Sequence, residues 1–304
     1  MSSPNVHTFY ADAVLFDMDG TLTDSIAAVE AAWGKVAKDI GQDPAYVIAA
    51  THGKRAVDNL AQFKPHIKAH EMDDEVQNFE NTILFFADAY NMHGPGSQPS
   101  SPVSSPSSAP SSRASSFVSP RRPSFASKLN SMLTMSVVPE ASVYGQGPQF
   151  ENSIMEEDQQ DIKHVLEAWQ QEATSVDRSV RILPGVKRMI SSIPEGRYAV
   201  ATSGAKTYAY GCMTRITITA DDKRLKAGKP APDPFLLAAS ELGFSAKNCV
   251  VFEDSPTVPT VIAVCTSHER RQIENSGAHF LVENMDKVKC ESCADGRLKF
   301  TVQL

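Results

Sequence analysis

Apolar residues along this chain fall into short continuous runs alternating with helically spaced positions. Ala13-Val14-Leu15-Phe16 is an unbroken apolar run that stops at Asp17, the pattern of a central parallel strand buried on both faces. From Ser25 to Gly41 the apolar residues Ile26, Val29, Trp33, Val36 and Ile40 recur at helical intervals, and Gly41 closes the segment. The same texture predicts helices over Ala45–Phe63, Asp73–Tyr90 and Asp158–Thr174, and Pro184-Gly185 opens another that runs to Ile193. Strands are predicted at Tyr198–Ala201, Ile216–Thr219, Val250–Phe252 and Val261–Val264, with a helix at Pro234–Leu242 between two of them. Strand–helix alternation of this kind predicts an α/β fold around a parallel sheet. In such sheets ligands bind beyond the carboxyl ends of the strands.

One stretch breaks the pattern. From Asn91 to Phe150 Ser and Pro dominate, and apolar residues are too sparse to offset the entropy of ordering a backbone. It reads as a disordered insertion rather than a linker, because neither flank looks complete alone. Within it Arg121-Arg122-Pro123-Ser124 sets two positive charges before a serine, which predicts a protein kinase acting at Ser124; the alternative is a solubilising charged patch.

Composition narrows the class. The chain has 304 residues, 41% of them hydrophobic and 21% charged, which excludes a collagen or a wholly disordered chain. No run approaches the ~18 apolar residues of a membrane span, and the N-terminus lacks a basic-then-apolar secretory signal, so no membrane association is expected. A formal net charge of −7 without a basic stripe argues against nucleic acid as a partner. Five cysteines, an odd number, point to reduced thiols and a cytoplasmic address. Cys290-Glu291-Ser292-Cys293 has redox or half-zinc spacing, but lacking a second pair it reads as structural, and His268-Glu269-Arg270-Arg271 reads as a solvated helix start.

The chemistry gathers at strand ends. The first strand runs into Asp17-Met18-Asp19-Gly20-Thr21, two carboxylates one residue apart that face the same crevice. A carboxylate at Asp17 can attack phosphorus to give an aspartyl-phosphate, and Asp19 can give a proton to the leaving oxygen and then take one from water. Carboxylates repel a phosphate dianion, so the scheme calls for a cation, and hard oxygen ligands point to Mg²⁺. Gly20 lets the backbone turn tightly. A calcium loop counted from Asp17 would need Gly and Glu where Leu22 and Ala28 stand, so that reading fails. Strand Tyr198–Ala201 ends in Thr202-Ser203-Gly204, a hydroxyl with backbone N–H groups opening a helix, suited to cradle a phosphate. Lys229 in Gly228-Lys229-Pro230 offers a point charge to phosphoryl oxygens, and Glu253-Asp254 at the end of Val250–Phe252 supplies a second acidic pair.

These four segments, in this order, resemble the four motifs of the haloacid dehalogenase-like hydrolase superfamily, and more closely those of fungal glycerol-3-phosphate and 2-deoxyglucose-6-phosphate phosphatases. Supporting stretches are Ala50-Thr51-His52-Gly53, Ile218-Thr219-Ala220-Asp221-Asp222 and Pro232-Asp233-Pro234-Phe235. The resemblance covers most of residues 10–90 and 160–295. It implies a Rossmann-like parallel sheet core (10–24 and 182–304) with an inserted helical cap (25–90 and 157–181), the Ser/Pro-rich insertion (91–156) lying inside the cap. It further implies Asp17 as nucleophile, Asp19 as acid and base, and Gly20, Thr202, Ser203 and Lys229 around the phosphate. Asp17, Asp19 through its carbonyl, and Asp254 would hold Mg²⁺, with Glu253 nearby. His52, Gly53 and Arg55 fall where related caps meet the substrate. The implied activity is hydrolysis of a small sugar or polyol phosphate, a small phosphorylated metabolite; a phosphomutase of the same superfamily is the alternative.

Two departures bear on the scaffold. Only Ser255–Pro259 separates Asp254 from the strand beginning at Thr260, and the chain between Thr202 and Lys229 is also shorter than in relatives. Parallel strands normally need a crossover of a dozen or more residues. The shortened segments near 205–216 and 255–259 therefore raise a third reading, a non-catalytic or degraded relative.

Overall fold

The computed structural model describes residues 5–95, 168–209, 214–255 and 261–304. The chain divides into one unit of Met1–Gly96 with Ala173–Leu304 and a second of Ser97–Glu172, of which only residues 168–172, part of a helix over 168–175, are described. Most of the Ser/Pro-rich insertion, with Ser124, lies outside the described residues, as does the start of the helix expected from Asp158.

The first unit is built on a six-stranded parallel sheet. Its strands are β2 (Ala13–Phe16), β5 (Tyr198–Ala201), β6 (Thr217–Ile218), β7 (Cys249–Glu253), β8 (Ile262–Val264) and β9 (Phe280–Val282), in the order β6-β5-β2-β7-β8-β9. The apolar run predicted to be a central strand is β2, all four residues buried, with β5 on one side and β7 on the other. Strand order reverses at β2, so the crevice beyond its carboxyl end is the ligand position expected of such sheets. Alternate residues feed two cores. Val14, Phe16, Val200 and Phe252 pack under helix α5 (Val186–Ser192) and a C-terminal sheet, the Phe16 and Phe252 rings 5.2 Å apart. Ala13, Leu15, Ala199 and Ala201 face α7 (Asp233–Leu242), where the small side chains admit the helix closely against β5 and β2.

The C-terminal sheet was not legible from the apolar runs. It pairs β1 (Val6–Ala11), β11 (Leu298–Gln303) and β10 (Val288–Ser292) antiparallel, in the order β1-β11-β10. Its signal is alternation: Leu298, Phe300 and Val302 are buried and the residues between them are not. Phe9 of β1 stacks on Phe280 and on Phe300, joining this sheet to the main one.

Register explains how the sheet closes despite its short connections. Strand β8 meets β7 only at Phe252↔Ile262 and Glu253↔Ala263, and β6 meets β5 only at Val200↔Thr217 and Ala201↔Ile218. Ile262 therefore stands one residue, about 3.3 Å, below the end of β7 rather than at its foot. On the α7 face Val251 is half-buried. The strands predicted at 216–219 and 261–264 are shortened accordingly.

Four cap helices follow a two-stranded tie, β3 (Thr23–Asp24) with β4 (Arg181–Ile182), where the chain leaves the sheet and returns. They are α1 (Ile26–Asp39), α2 (Pro44–Thr51), α3 (Ala56–Phe63) and α4 (Met72–His93). The single helix expected over 45–63 is two: His52 is extended and Gly53 sits at φ +71°, so the ladder breaks there. Trp33 of α1 and Phe79 of α4, ring centroids 4.0 Å apart, hold the cap together.

Candidate active site

The loop after β2 is a tight turn on Met18, which is buried and whose carbonyl accepts from Leu22 and Thr23 N–H. Gly20 has φ +79°, and a Cβ there would collide with the Asp254 carboxylate. The loop thus brings Asp17 and Asp19 to the ends of β5 and β7.

Asp17, 4% exposed, accepts through Oδ1 from Lys229 Nζ, and Lys229, 3% exposed, also donates to Glu253 Oε2 at 2.8 Å. Burial alone would lower the Lys229 ammonium; the Asp17 and Glu253 carboxylates overcome it and hold it above the ordinary lysine value. Asp17 Oδ2 is buried with no hydrogen-bond partner among the described residues. Oxygens of Asp17, Glu253 and Asp254 lie within 4.8 Å of one another. Burial, then the charge of Asp17, pushes Glu253 up to about 7; burial and the charges of Asp17 and Glu253 raise Asp254 as well. Three clustered carboxylates against one ammonium, with an orphaned oxygen among them, fit a hard divalent cation.

Asp19 accepts at Oδ1 from Ser25 (2.5 Å) and Tyr208 (2.6 Å), with the Thr202 hydroxyl 3.4 Å from Oδ2. Burial and the Asp17 charge push its carboxyl up to about 6, against the pull of those hydroxyls. Thr202 is buried and accepts the Gly204 N–H at 3.0 Å. The cradle expected after β5 is narrower than the sequence implied. Ala205 N–H donates to Glu80 and Lys206 N–H to Asp221, and the helix that follows, α6 (Lys206–Ala209), is a single turn. The Thr202 hydroxyl and Lys229 remain at that end, beside Asp19 and Asp17 respectively.

From the cap, the turn between α2 and α3 reaches the site. Gly53 carbonyl accepts from Ser203 Oγ at 2.8 Å. His52 Nε2 lies 4.0 Å from Asp254 Oδ2, and its ring meets His268 edge-on at 4.3 Å. Burial, then His268, lowers His52 to about 4, so it is a neutral hydrogen-bonding group there, not a cation. His268 is half-buried against His52, which corrects its reading as a solvated position, while Glu269–Arg271 are exposed as expected. Arg55 is held by Asp58 at 2.8 and 3.0 Å and lies against Gly228, outside the cleft lining. Sequence reasoning also missed Tyr208 and Glu80, whose positions only the packing of α6 and α4 reveals. The cleft has a cavity volume of about 80 Å³, and Ile26, Val29, Trp33, Phe79 and Ile83 form its apolar wall.

Residues 11–257 match the family model described as "Hydrolase: haloacid dehalogenase-like hydrolase". Hexitol phosphatase A of Escherichia coli is 25% identical over 251 residues, 80% of this chain and 74% of that one. Two Saccharomyces cerevisiae proteins match over shorter spans. 2-Deoxyglucose-6-phosphate phosphatase 1 is 39% identical over 59 residues (19% of this chain, 24% of that one). Glycerol-1-phosphate phosphohydrolase 2 is 26% identical over 137 residues (37% and 54%). With the family model spanning most of the chain and its motif residues meeting in one buried crevice, the protein belongs to the haloacid dehalogenase-like hydrolases.

Proposed function

We propose that the protein is a Mg²⁺-dependent phosphatase of small sugar or polyol phosphates that works through an aspartyl-phosphate at Asp17. The observation that carries this reading is the pair of Asp17, buried, and Asp19, half-buried, with Lys229 on Asp17 at the switch point of the sheet. Lys229 and the Thr202 hydroxyl hold the phosphoryl oxygens, and Lys229 pairs with Asp17 Oδ1. Asp17 Oδ2, free of hydrogen bonds, attacks phosphorus while Asp19 protonates the departing alcohol. Asp19 then takes a proton from the water that splits the aspartyl-phosphate. A carboxyl held at about 6 is poised for both halves, since giving and taking a proton are balanced near neutral pH. Asp17, the Asp19 carbonyl and Asp254, with Glu253 nearby, would hold Mg²⁺, whose charge offsets repulsion between carboxylates and phosphate dianion.

The substrate class draws support from the relatives, named for hexitol, 2-deoxyglucose-6-phosphate and glycerol-1-phosphate substrates. The test is phosphate release from a panel of sugar and polyol phosphates in the presence of Mg²⁺. Release by the wild type and its loss in Asp17→Asn support the reading. Transfer of the phosphoryl group to a second sugar hydroxyl, without free phosphate, would identify a phosphomutase instead.

A further inference from the structure

A second group of metal-ligating side chains stands beside the carboxylate cluster and differs from it in chemistry. A ring nitrogen of His52, a ring nitrogen of His268 and a carboxylate oxygen of Asp254 lie within 4.8 Å of one another. The three come from separate parts of the first unit: His52 from the cap turn between α2 and α3, Asp254 from the end of β7, and His268 from the loop after β8. His52 Nε2 stands 4.0 Å from Asp254 Oδ2, beyond hydrogen-bond reach, and the two imidazoles meet edge-on, their planes 85° apart and their centroids 4.3 Å apart. Ser267 accounts for one side of the group only: its hydroxyl donates to Asp254 Oδ2 and lies 2.8 Å from His268 Nδ1. No hydrogen bond holds the His52 ring among the described residues. Asp254 is buried and both histidines are half-buried, so the group has a fixed inner ligand and outer ligands that solvent reaches.

We propose that His52, His268 and Asp254 bind a divalent transition-metal ion of the Zn²⁺ class, which fastens the cap turn to the core. The donor set decides the ion. The group of Asp17, Glu253 and Asp254 offers oxygen alone and suits Mg²⁺, whereas two imidazoles with one carboxylate suit Zn²⁺ and its neighbours. Two histidines and a carboxylate, with water in the fourth place, form a known ligand set for zinc. The spacing is close to what such an ion requires. Donors about 2.0–2.1 Å from a tetrahedral ion stand about 3.3 Å from one another, so the widest pair here closes by about 1.5 Å at most, within reach of ring rotation. Asp254 belongs to both groups, so an ion on the histidines also draws on a carboxylate of the all-oxygen group. Binding here is independent of the phosphatase reading, since no phosphate ester takes part in it.

The experiment titrates the full chain with Co²⁺ and Zn²⁺ in Mg²⁺-free buffer containing a phosphine reductant. The wild type is expected to show the visible absorption of a four-coordinate Co²⁺ site, abolished when Zn²⁺ displaces the cobalt. His52→Ala and His268→Ala are each expected to weaken Zn²⁺ binding by at least about 10-fold, the loss that removing even a residue which only supports a ligand commonly causes. His70→Ala, whose imidazole is exposed beside Glu71, is expected to bind as the wild type does. Hydrogen exchange in the turn between α2 and α3 is expected to slow with Zn²⁺ in the wild type and not in His268→Ala. X-ray absorption of the Zn²⁺-loaded wild type decides the ligands without any variant: imidazole scattering with Zn–N of about 2.0–2.1 Å supports the site. Sulfur at about 2.3 Å would place the ion on the cysteines and overturn it. Failure of the wild type to bind Zn²⁺, or an affinity unchanged in both histidine variants, would overturn it as well.

Discussion

Replacing Lys229 with methionine removes the cation that pairs with Asp17 and Glu253 while keeping most of the side-chain volume. In the native structure Lys229 serves both Asp17 and Glu253, and all three residues are 4% exposed or less. At 2.8 Å and an effective dielectric constant of ~20, the pair with Glu253 alone interacts by about 6 kcal/mol. Part of this is returned, because the variant no longer buries an ammonium. What remains is the cost of leaving charges uncompensated inside, for which about 3–5 kcal/mol is the usual loss. Spread over a folded unit of this size, that lowers the melting temperature by about 10 °C. The assay is urea unfolding in metal-free buffer, with Lys229→Met, Glu253→Gln and the double variant compared. The double variant is expected to lose less than the two single losses added together, because the second substitution removes a charge the first left unpaired. A Lys229→Met protein within about 0.5 kcal/mol of wild type would refute the reasoning, since such a small loss belongs to solvated charges.

Other consequences follow from the same geometry. Gly20→Ala is expected to lower both stability and activity, because the added Cβ meets the Asp254 carboxylate at φ +79°; thermal unfolding and a rate assay check it. Glu80, raised to about 7 by burial first and the Asp221 and Asp19 charges after, binds its proton more tightly folded than unfolded. Its contribution to stability is therefore fully present below about 4.5 and is lost as pH rises through 7, about 3 kcal/mol in all, and Glu80→Gln should flatten that part of the urea-unfolding profile against pH. Mg²⁺ at about a hundred times its dissociation constant should stabilise the wild type by about 2.7 kcal/mol and Asp254→Asn by much less, as differential scanning calorimetry would record.

The central features were legible because they leave local marks. An apolar run ending in acid, such as Ala13–Asp17, announces a buried strand with chemistry at its end, and the four motifs each sit where a strand or turn places them. Elements held by tertiary contacts left weaker marks. The C-terminal sheet depends on β1 finding β11 across nearly the whole chain, and its half-exposed strands alternate rather than run apolar. The break at His52-Gly53 was hidden because helical periodicity continues on both sides of a single glycine. Chain length alone does not reveal that β6 and β8 enter the sheet only at its upper edge. Glu80 and Tyr208 reach the site from helices whose packing no spacing rule encodes, and Arg55, plausible by position, is taken by Asp58 three residues on.

Mass spectrometry of the protein quenched in acid during turnover of its best phosphate ester tests the catalytic assignment most directly. Phosphate carried on Asp17, absent from Asp17→Asn along with phosphate release, is the expected result. Release that continues with Asp17 never phosphorylated, or that survives Asp17→Asn undiminished, would contradict it.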